Sequence, residues 1–374
     1  MAKPVIIDLF CGCGGFSLGA HLAGFETVLA IDFDPILSSA FAKNFPKTKL
    51  IHADLSKAKL SKEVAHENVV GIIGGPPCQG FSMMGRREKN DPRNRLVSHF
   101  FRHVTELEPA FFIMENVPGI LAGDAYKTLK KAIKLLGNRY EIVGPIKVNA
   151  ADFGAATLRS RVLVLGFDPK KIQPITIEEI DAAKTSVRSN VKDAIFDLPS
   201  PVESRDDYKE FDWIDYSAAS GRYASKAAKL PPAGLGYPAA IKHLKDGKIS
   251  GFLPTAHSQL VEKRYCALKP GATDPVSRAS RLEWSELCST LRAGTGSDRG
   301  SYQSVRPIHP VEARVITVRE AARLQGFPDW FVFHPTKWHS FRMIGNSVSP
   351  YLSEAIMCLI ASNIKRAKKF RASV

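Results

Sequence analysis

Through its first half the chain alternates short apolar runs with stretches of helical period, and this alternation decides what it can fold into. "PVIIDLF" reads as a strand and "GFSLGAHLAGF" as a helix. "ETVLAID" is the next strand and "DPILSSAFAKNF" the next helix, with Asp34 at its N-cap and Pro35 at its first position. "KLIHAD" and "VVGIIGG" are strands, "RLVSHFFRHVTEL" a helix, "AFFIMENV" a strand and "AYKTLKKAIKLL" a helix. "YEIVGPIKVNA" and "RVLVLGF" close the series as strands. The pattern predicts an α/β protein with a doubly wound, mostly parallel sheet, its ligands at the C-terminal strand ends.

The pattern fades after Phe167. Residues 168–285 are richer in Pro, Gly, Ser and Lys, and their periodicity is weak, as in "SPVESRDDYKEFDW" and "KLPPAGLGYPAA". Order returns at "TVREAARLQGF", where Thr317 and Glu320 form a capping box, and at "SPYLSEAIMCLIASNIKRAKKF". The basic end of that last helix suits its C-terminal dipole and reads as a solvated terminus. The division expected is one domain from 1–167 with 300–374, and a second, irregular one over 168–299. A chain of 374 residues, 44% hydrophobic and 24% charged, is long enough for a large core and two domains, although the variable segment lacks the apolar periodicity of an independent large core.

A formal net charge of +15 argues for a polyanionic partner, nucleic acid before others, against the alternative of an unspecialised basic protein. The six cysteines form no C-x-x-C pair and no spaced Cys/His set, so neither a metal site nor a disulfide framework is expected. Scattered thiols fit a reducing compartment. The start lacks the apolar stretch of a signal peptide, and no 18-residue apolar run occurs, so the expectation is a cytoplasmic protein with no membrane contact.

"DLFCGCGGFSLG", Asp8 to Gly19, places glycines between the first strand and first helix, where backbone can approach a ligand. It is not the G-x-G-x-x-G fingerprint, because Ser17 follows Gly12 and Gly14 in the third position. Asp32 ends the second strand, where an acid accepts hydrogen bonds from ribose hydroxyls, and Asp54 ends the third, placed to meet an adenine amine. A nucleoside-bearing cofactor follows. S-adenosylmethionine fits without a phosphate cradle, NAD is the competitor, and glycines serving only a tight turn are the plain alternative.

The fourth strand runs into "GGPPCQGFS", Gly74 to Ser82. Two prolines stiffen the exit and present Cys78 where α/β enzymes place their chemistry, so a nucleophile is favoured over a buried structural thiol. An ordinary thiol has a pKa near 8.5, so activation would matter. Arg86, Arg87, Arg93 and Arg95 follow, suited to phosphates or to a loop over a polyanion. The fifth strand ends in Glu115-Asn116-Val117. A carboxylate there needs a partner or a purpose: a satisfied ion pair, or an acid raised until it donates a hydrogen bond.

These stretches together resemble the DNA (cytosine-5) methyltransferase family. "DLFCGCGGFSLG" is similar to its first motif, "GGPPCQGFS" to its catalytic-cysteine motif and "ENV" to its acid motif. "REAARLQGFPDWF" and "GNSVSPYLSEAI" resemble its last two, and order and spacing agree over nearly the whole chain except 168–285. The resemblance implies an S-adenosylmethionine-dependent, Rossmann-like fold with a target-recognition domain in the variable segment. Cys78 would add to carbon 6 of a flipped-out cytosine, and Glu115 would contact the ring nitrogen and exocyclic amine. Carbon 5 would take a methyl group from S-adenosyl-L-methionine, leaving S-adenosyl-L-homocysteine. The family's Gln-x-Arg-x-Arg stands here as "TLRSR": Arg159 is expected near the base and Glu115, Arg161 is structural or a backbone contact, and Thr157 replaces the glutamine. For the cofactor the resemblance implies Phe10 and the backbone of Gly12, Gly14 and Gly15, then Asp32, Asp54 and Pro76, with Asn346 and Ser347 returning from the far end. Phe10 reads equally well as core.

The partner so implied is double-stranded DNA, in a prokaryotic restriction-modification system whose nuclease, if any, is encoded elsewhere; the enzyme is expected to be a monomer. "TLRAGTGSDRG" is expected to be a hinge or backbone-contact loop on the way back from the variable segment. Three other readings compete. An RNA-methylating branch fits less well with the long variable segment and basic excess. A catalytically silent binding module is disfavoured by intact Cys78, Glu115 and Arg159. An NAD oxidoreductase lacks the third fingerprint glycine.

Overall fold

The computed structural model describes residues 3–64, 68–77, 95–201, 210–217, 220–294 and 306–372, without the side chains of 366–372. Five strands run parallel: β1 (Val5–Leu9), β2 (Glu26–Asp32), β3 (Lys49–His52), β4 (Val69–Gly74) and β5 (Phe111–Asn116). β6 (Glu141–Asn149) and β7 (Ser160–Phe167) complete one seven-stranded sheet in the order β3-β2-β1-β4-β5-β7-β6, with β7 antiparallel to both its neighbours. The order reverses between β1 and β4, which opens a crevice at the C-terminal strand ends.

The apolar runs form strands because both faces of the sheet are covered. Successive side chains alternate between faces. Ile6, Ile73, Phe111 and Ile113 enter one buried cluster, and Ile7, Leu9, Ile72, Phe112 and Met114 enter the other. The second face is closed by α3 (Leu96–Leu107) and α4 (Gly123–Ile133), through Phe100, Phe101, Val104 and Leu129. The first face is closed by α1 (Gly15–Leu22) and the long C-terminal helix, α12 (Pro350–Ala372). The last helix lies so close to the first that a Cβ on Gly19 would stand 2.4 Å from the Glu354 amide nitrogen. Ser353 Oγ donates to the Phe16 carbonyl at 2.7 Å. The two ends of the sequence thus meet beside the glycine loop.

Two expectations change. The helix expected from Asp34 is regular only over α2 (Ser39–Asn44), although Asp34 does cap the turn before it: its Oδ1 accepts from the amides of Ile36 and Leu37. The second concerns residue 168 as a boundary. α5 (Ile177–Ala182) and α6 (Val191–Ile195) place Ile172, Ile175, Ile180, Val191, Ala194 and Ile195 in the same buried cluster as α12. The chain from Ile172 to Ile195 therefore packs on the main body. The Thr317–Glu320 capping box opens α10 (Val318–Gln325), with reciprocal hydrogen bonds of 3.2 and 2.6 Å.

Between these lies an irregular body containing α7 (Arg222–Ala227), α8 (Pro238–Lys245), α9 (Gln259–Cys266) and a two-stranded pair, β8 (Ile214–Asp215) with β9 (Lys248–Ile249). Its apolar clusters are small: Ile214, Ile249 and Phe252 in one, Tyr265, Ala279, Ile308 and Val315 in another. Buried polar groups do much of the holding. The Arg281 guanidinium donates to the carbonyls of Tyr265, Leu268, Pro310 and Val311, which otherwise would face each other across the loops. Among the described residues no helix is long and apolar enough to cross a membrane, and no cluster of His, Cys, Asp and Glu could hold a metal ion. α11 (Lys337–Asn346) leads into the turn before α12.

Candidate active site

The crevice is built from the residues that follow each parallel strand. After β1 the chain turns sharply: Phe10 has φ +61°, and Gly12 and Gly14 have φ +51° and +96°. The Gly12 amide donates to Asp32 Oδ2 at 2.8 Å and the Asp34 amide to Asp32 Oδ1 at 2.9 Å, so the acid ending β2 is fixed by two backbone donors. Burial raises the Asp32 pKa above the ordinary carboxylate range, with these amides working against it. Asp54 follows β3, its carboxyl held below the usual range by the hydroxyl and amide of Ser56. Ser17, in the place of a fingerprint glycine, donates to Asp8 Oδ2 at 2.6 Å. Asp8 is fully buried with Oδ1 unpartnered among the described residues, and burial pushes its pKa to about 7.

The chemistry-bearing end of the crevice lies between β4, β5 and β7. Glu115 and Arg161 are both buried, and Arg161 Nε stands 2.6 Å from Glu115 Oε1. The contact is an ion pair off the N–H direction, so Oε1 has no aligned hydrogen-bond donor among the described residues. The other oxygen, Oε2, would be 3.1 Å from a Cβ on Gly75, so the carboxylate lies against the backbone that leaves β4. Asn116 ties the two strand exits together. Its Nδ2 donates to the Pro76 carbonyl at 2.9 Å while its Oδ1 accepts from the Val117 amide. Cys78 and Arg86, Arg87 and Arg93 lie outside the described residues.

The two arginines share the site unequally. Arg161, expected to be structural or a backbone contact, is the one paired directly with Glu115. Arg159, expected near the base and Glu115, is buried within reach of the Glu115 charge and donates its hydrogen bonds to the carbonyls of Gly345 at 2.8 Å and Leu291 at 3.4 Å. Burial first, then the neighbouring Arg161, lower its pKa well below the arginine range. Thr157 is also reassigned: its hydroxyl donates to the carbonyls of Cys288 and Ser289, pinning the segment that returns from the irregular body. At the cofactor end, Ser347 is buried with its hydroxyl on the Ile344 carbonyl, and Asn346 is exposed.

Sequence reasoning passed over two residues. Phe33 directly follows Asp32 and is 76% exposed, an aromatic face left open at the crevice rim. Its signal was an aromatic residue just past a strand-ending acid. Asn116 was read only as part of a motif, and its bridge to Pro76 depends on which strands are neighbours.

A seven-stranded sheet of this order, with a glycine loop after β1 and an acid ending β2, defines the Rossmann-like class of S-adenosylmethionine-dependent methyltransferases. Residues 5–362 match the family described as C-5 cytosine-specific DNA methylase. The chain belongs to that family and is a DNA (cytosine-5) methyltransferase. It is 42% identical over 368 residues to the type II methyltransferase M.XorII of Xanthomonas oryzae pv. oryzae, covering 95% of this chain and 84% of that protein. M.DdeI of Desulfomicrobium norvegicum is 32% identical, over 94% of this chain and 87% of its own. A solved E. coli protein, described as a DNA modification methyltransferase encoded within a prophage, superposes with a TM-score of 0.87 at 40% identity, covering 97% of this chain and all of that one. S. pombe Dnmt2 shares the fold, with a TM-score of 0.62 at 17% identity, over 98% of this chain and all of its own.

Proposed function

We propose that this enzyme methylates carbon 5 of one cytosine in a specific duplex DNA sequence, through a covalent adduct of Cys78 on a flipped-out base, as the modification half of a prokaryotic system. The observation that carries the reading is the Glu115–Arg161 pair, lodged at the end of β5 against Gly75, three residues before Cys78. An aromatic carbon is a poor nucleophile until addition elsewhere breaks the ring's conjugation. The Cys78 thiolate would form a bond to carbon 6 and shift the ring's electrons toward carbon 5. Glu115, braced by Arg161, would hold the ring nitrogen and amine and favour that shift. Loss of the carbon-5 proton to a base, then breaking of the sulfur–carbon bond, would restore the thiolate. A thiol on a strand exit reaches the ring only once the base leaves the stack, at a cost of a few kcal/mol.

S-adenosyl-L-methionine would supply the electrophilic methyl group and leave as S-adenosyl-L-homocysteine. The residues present fit it. None of the described residues comes within 4 Å of where a Cβ would stand on Gly12, which leaves room for a cradle beside Asp32. Asp32 would take the ribose hydroxyls and Asp54 the adenine amine. Phe10, Gly14 and Gly15 would line the methionine end, and Pro76 the adenosine. The exposed Phe33 would offer a stacking face, and Asn346 and Ser347 would close the far side. The irregular body would read bases in the major groove. The protein would work as a cytoplasmic monomer on double-stranded DNA, sharing a target sequence, but no contact, with a restriction endonuclease.

The test is bisulfite sequencing of plasmid DNA treated with the protein and labelled S-adenosylmethionine, alongside tRNA. The expected result is label in duplex DNA at one repeated sequence. Cys78→Ser should lose methyl transfer and keep cofactor binding. Label in tRNA alone sinks the DNA assignment, and full activity in Cys78→Ser removes the nucleophile.

A further inference from the structure

Arg159 is an expensive residue in its present place. It is 1% exposed, and among the described residues its Nε has no hydrogen-bond partner and no carboxylate is among its hydrogen-bond acceptors. A buried cation that Glu115 offsets only through its charge, without a hydrogen bond, needs a compensating role. What it touches suggests one. Its guanidinium reaches two carbonyls far apart in sequence, Leu291 and Gly345.

Leu291 belongs to the segment that returns from the irregular body. That segment is laced to the stretch before β7: Cys288 N donates to the Ala156 carbonyl at 3.0 Å, Leu158 N to the Cys288 carbonyl at 2.8 Å, and the Thr157 hydroxyl to Cys288 and Ser289. Gly345 belongs to the end of α11, the turn that carries Asn346 and Ser347. One residue pair earlier in that turn, the Met343 carbonyl meets Cys13 Sγ of the glycine loop at 3.6 Å. The two segments also touch directly, since a Cβ on Gly345 would stand 2.4 Å from the Ala293 amide nitrogen. Arg159 itself is held at the backbone, with its amide on Asn149 Oδ1 and its carbonyl on the Ala150 amide, both at 3.0 Å. Two residues further along the chain, Arg161 braces Glu115.

We propose that Arg159 is a positioning residue that couples the two ligand sites: by clamping the Leu291 and Gly345 carbonyls together it makes cofactor binding and DNA binding favour each other. The inference rests on the reading that the crevice binds the cofactor and the irregular body binds DNA. A shift in the returning segment as DNA is grasped is transmitted to the turn beside the glycine loop, and the reverse holds with the same magnitude, because coupling between two binding equilibria is reciprocal.

The coupling is a ratio, which separates it from a simply structural role. Bind a fluorescently labelled duplex carrying the mapped methylation sequence, with and without saturating S-adenosyl-L-homocysteine, and take the ratio of the two dissociation constants. In the natural protein the cofactor product should tighten DNA binding by about fivefold or more, the lower end of ordinary allosteric coupling. Arg159→Met, which keeps the length and removes the donors, should bring the ratio to within about twofold of one, well below that range. A residue serving only stability would lower the melting temperature and leave the ratio intact. If Arg159→Met does not fold, Gly345→Ala breaks the same junction from the other side by displacing the Ala293 backbone, and should lower the ratio likewise. A ratio of one in the natural protein, or an unchanged ratio in a folded variant, overturns the proposal. Methylation of the duplex by the natural protein is the separate control: if it is absent, the underlying reading fails and the coupling fails with it, whereas methylation with an unchanged ratio removes the coupling alone.

Discussion

Glu115 and Arg161 meet because of register. β5 and β7 are antiparallel, with Glu115 opposite Leu163, so the same face of β7 brings Arg161 to the diagonal position. Arg159 lies one pair further along, beyond the strand's first residue, and reaches the returning segment instead. The sequence shows two arginines two apart and an acid at a strand end. It does not show which strand neighbours which, or in what alignment, and so the direct contact of Glu115 with Arg161 was not legible. The expectation for Cys78, which lies outside the described residues, rests instead on a frame of prolines and glycines that is local. The ion pair yields a prediction. Glu115→Gln conserves shape and removes the negative charge beside Arg161, so the fold should persist. Methyl transfer should fall by roughly a hundred- to ten-thousand-fold, the usual worth of a positioned acid or base. Labelled-methyl incorporation into duplex DNA, beside an unchanged circular dichroism spectrum, checks it. Activity within a few fold of the natural protein would remove Glu115 from the chemistry.

At the scale of elements, α1 gathers two titrating groups of opposite effect. His21, in its last turn, accepts from the Thr27 amide through Nε2 at 3.1 Å and packs against Phe45. Burial, with a lesser push from Lys3, lowers its pKa from 6.5 to about 4. The unfolded chain therefore takes up this proton between those values while the folded chain does not, and stability is lost as pH falls through that window. Asp8 runs the other way. Burial raises it from 3.8 to about 7, so the folded chain holds a proton that the unfolded one has released, and stability is lost as pH rises through that interval. Denaturant unfolding at pH 4.5, 6 and 8 separates them. Asp8→Asn should gain on the natural protein as pH rises, and His21→Gln should gain on it as pH falls. Parallel curves for either variant would refute its assignment. The strand–helix alternation that placed α1 was visible in the sequence. The Asp34 cap was visible as well, because an Asp before Pro is a local signal, whereas the delay of regular helix to Ser39 was not.

At the scale of the whole molecule, the same chain uses two ways of making an interior. Up to Phe167 it buries alternating apolar faces, and periodicity reveals them. In the irregular body small apolar clusters are joined by buried arginines on loop carbonyls, which leave no period to read, while α10 to α12 return to the main cluster. Arg281 holds four carbonyls, and Arg319 holds those of Ser250, Pro328 and Phe331. Arg323 sits on Asp329 and Asp197. This has a consequence for the net charge of +15. Arg159, Arg161, Arg281, Arg314, Arg319 and Arg323 are buried on internal partners, so they contribute to the field around the molecule without touching phosphates. Contacts to the DNA backbone must come from the exposed lysines and remaining arginines. Each phosphate neutralised releases counterions, and six to ten such contacts would weaken binding by about a thousand- to a hundred-thousand-fold between roughly 50 and 200 mM salt. Fluorescence anisotropy with a labelled duplex across that range measures the slope. A steep slope supports DNA as the polyanion that the charge serves, and its value counts the phosphates held. A flat one would mean that the basic excess is an attribute of the fold's own interior and not of its partner.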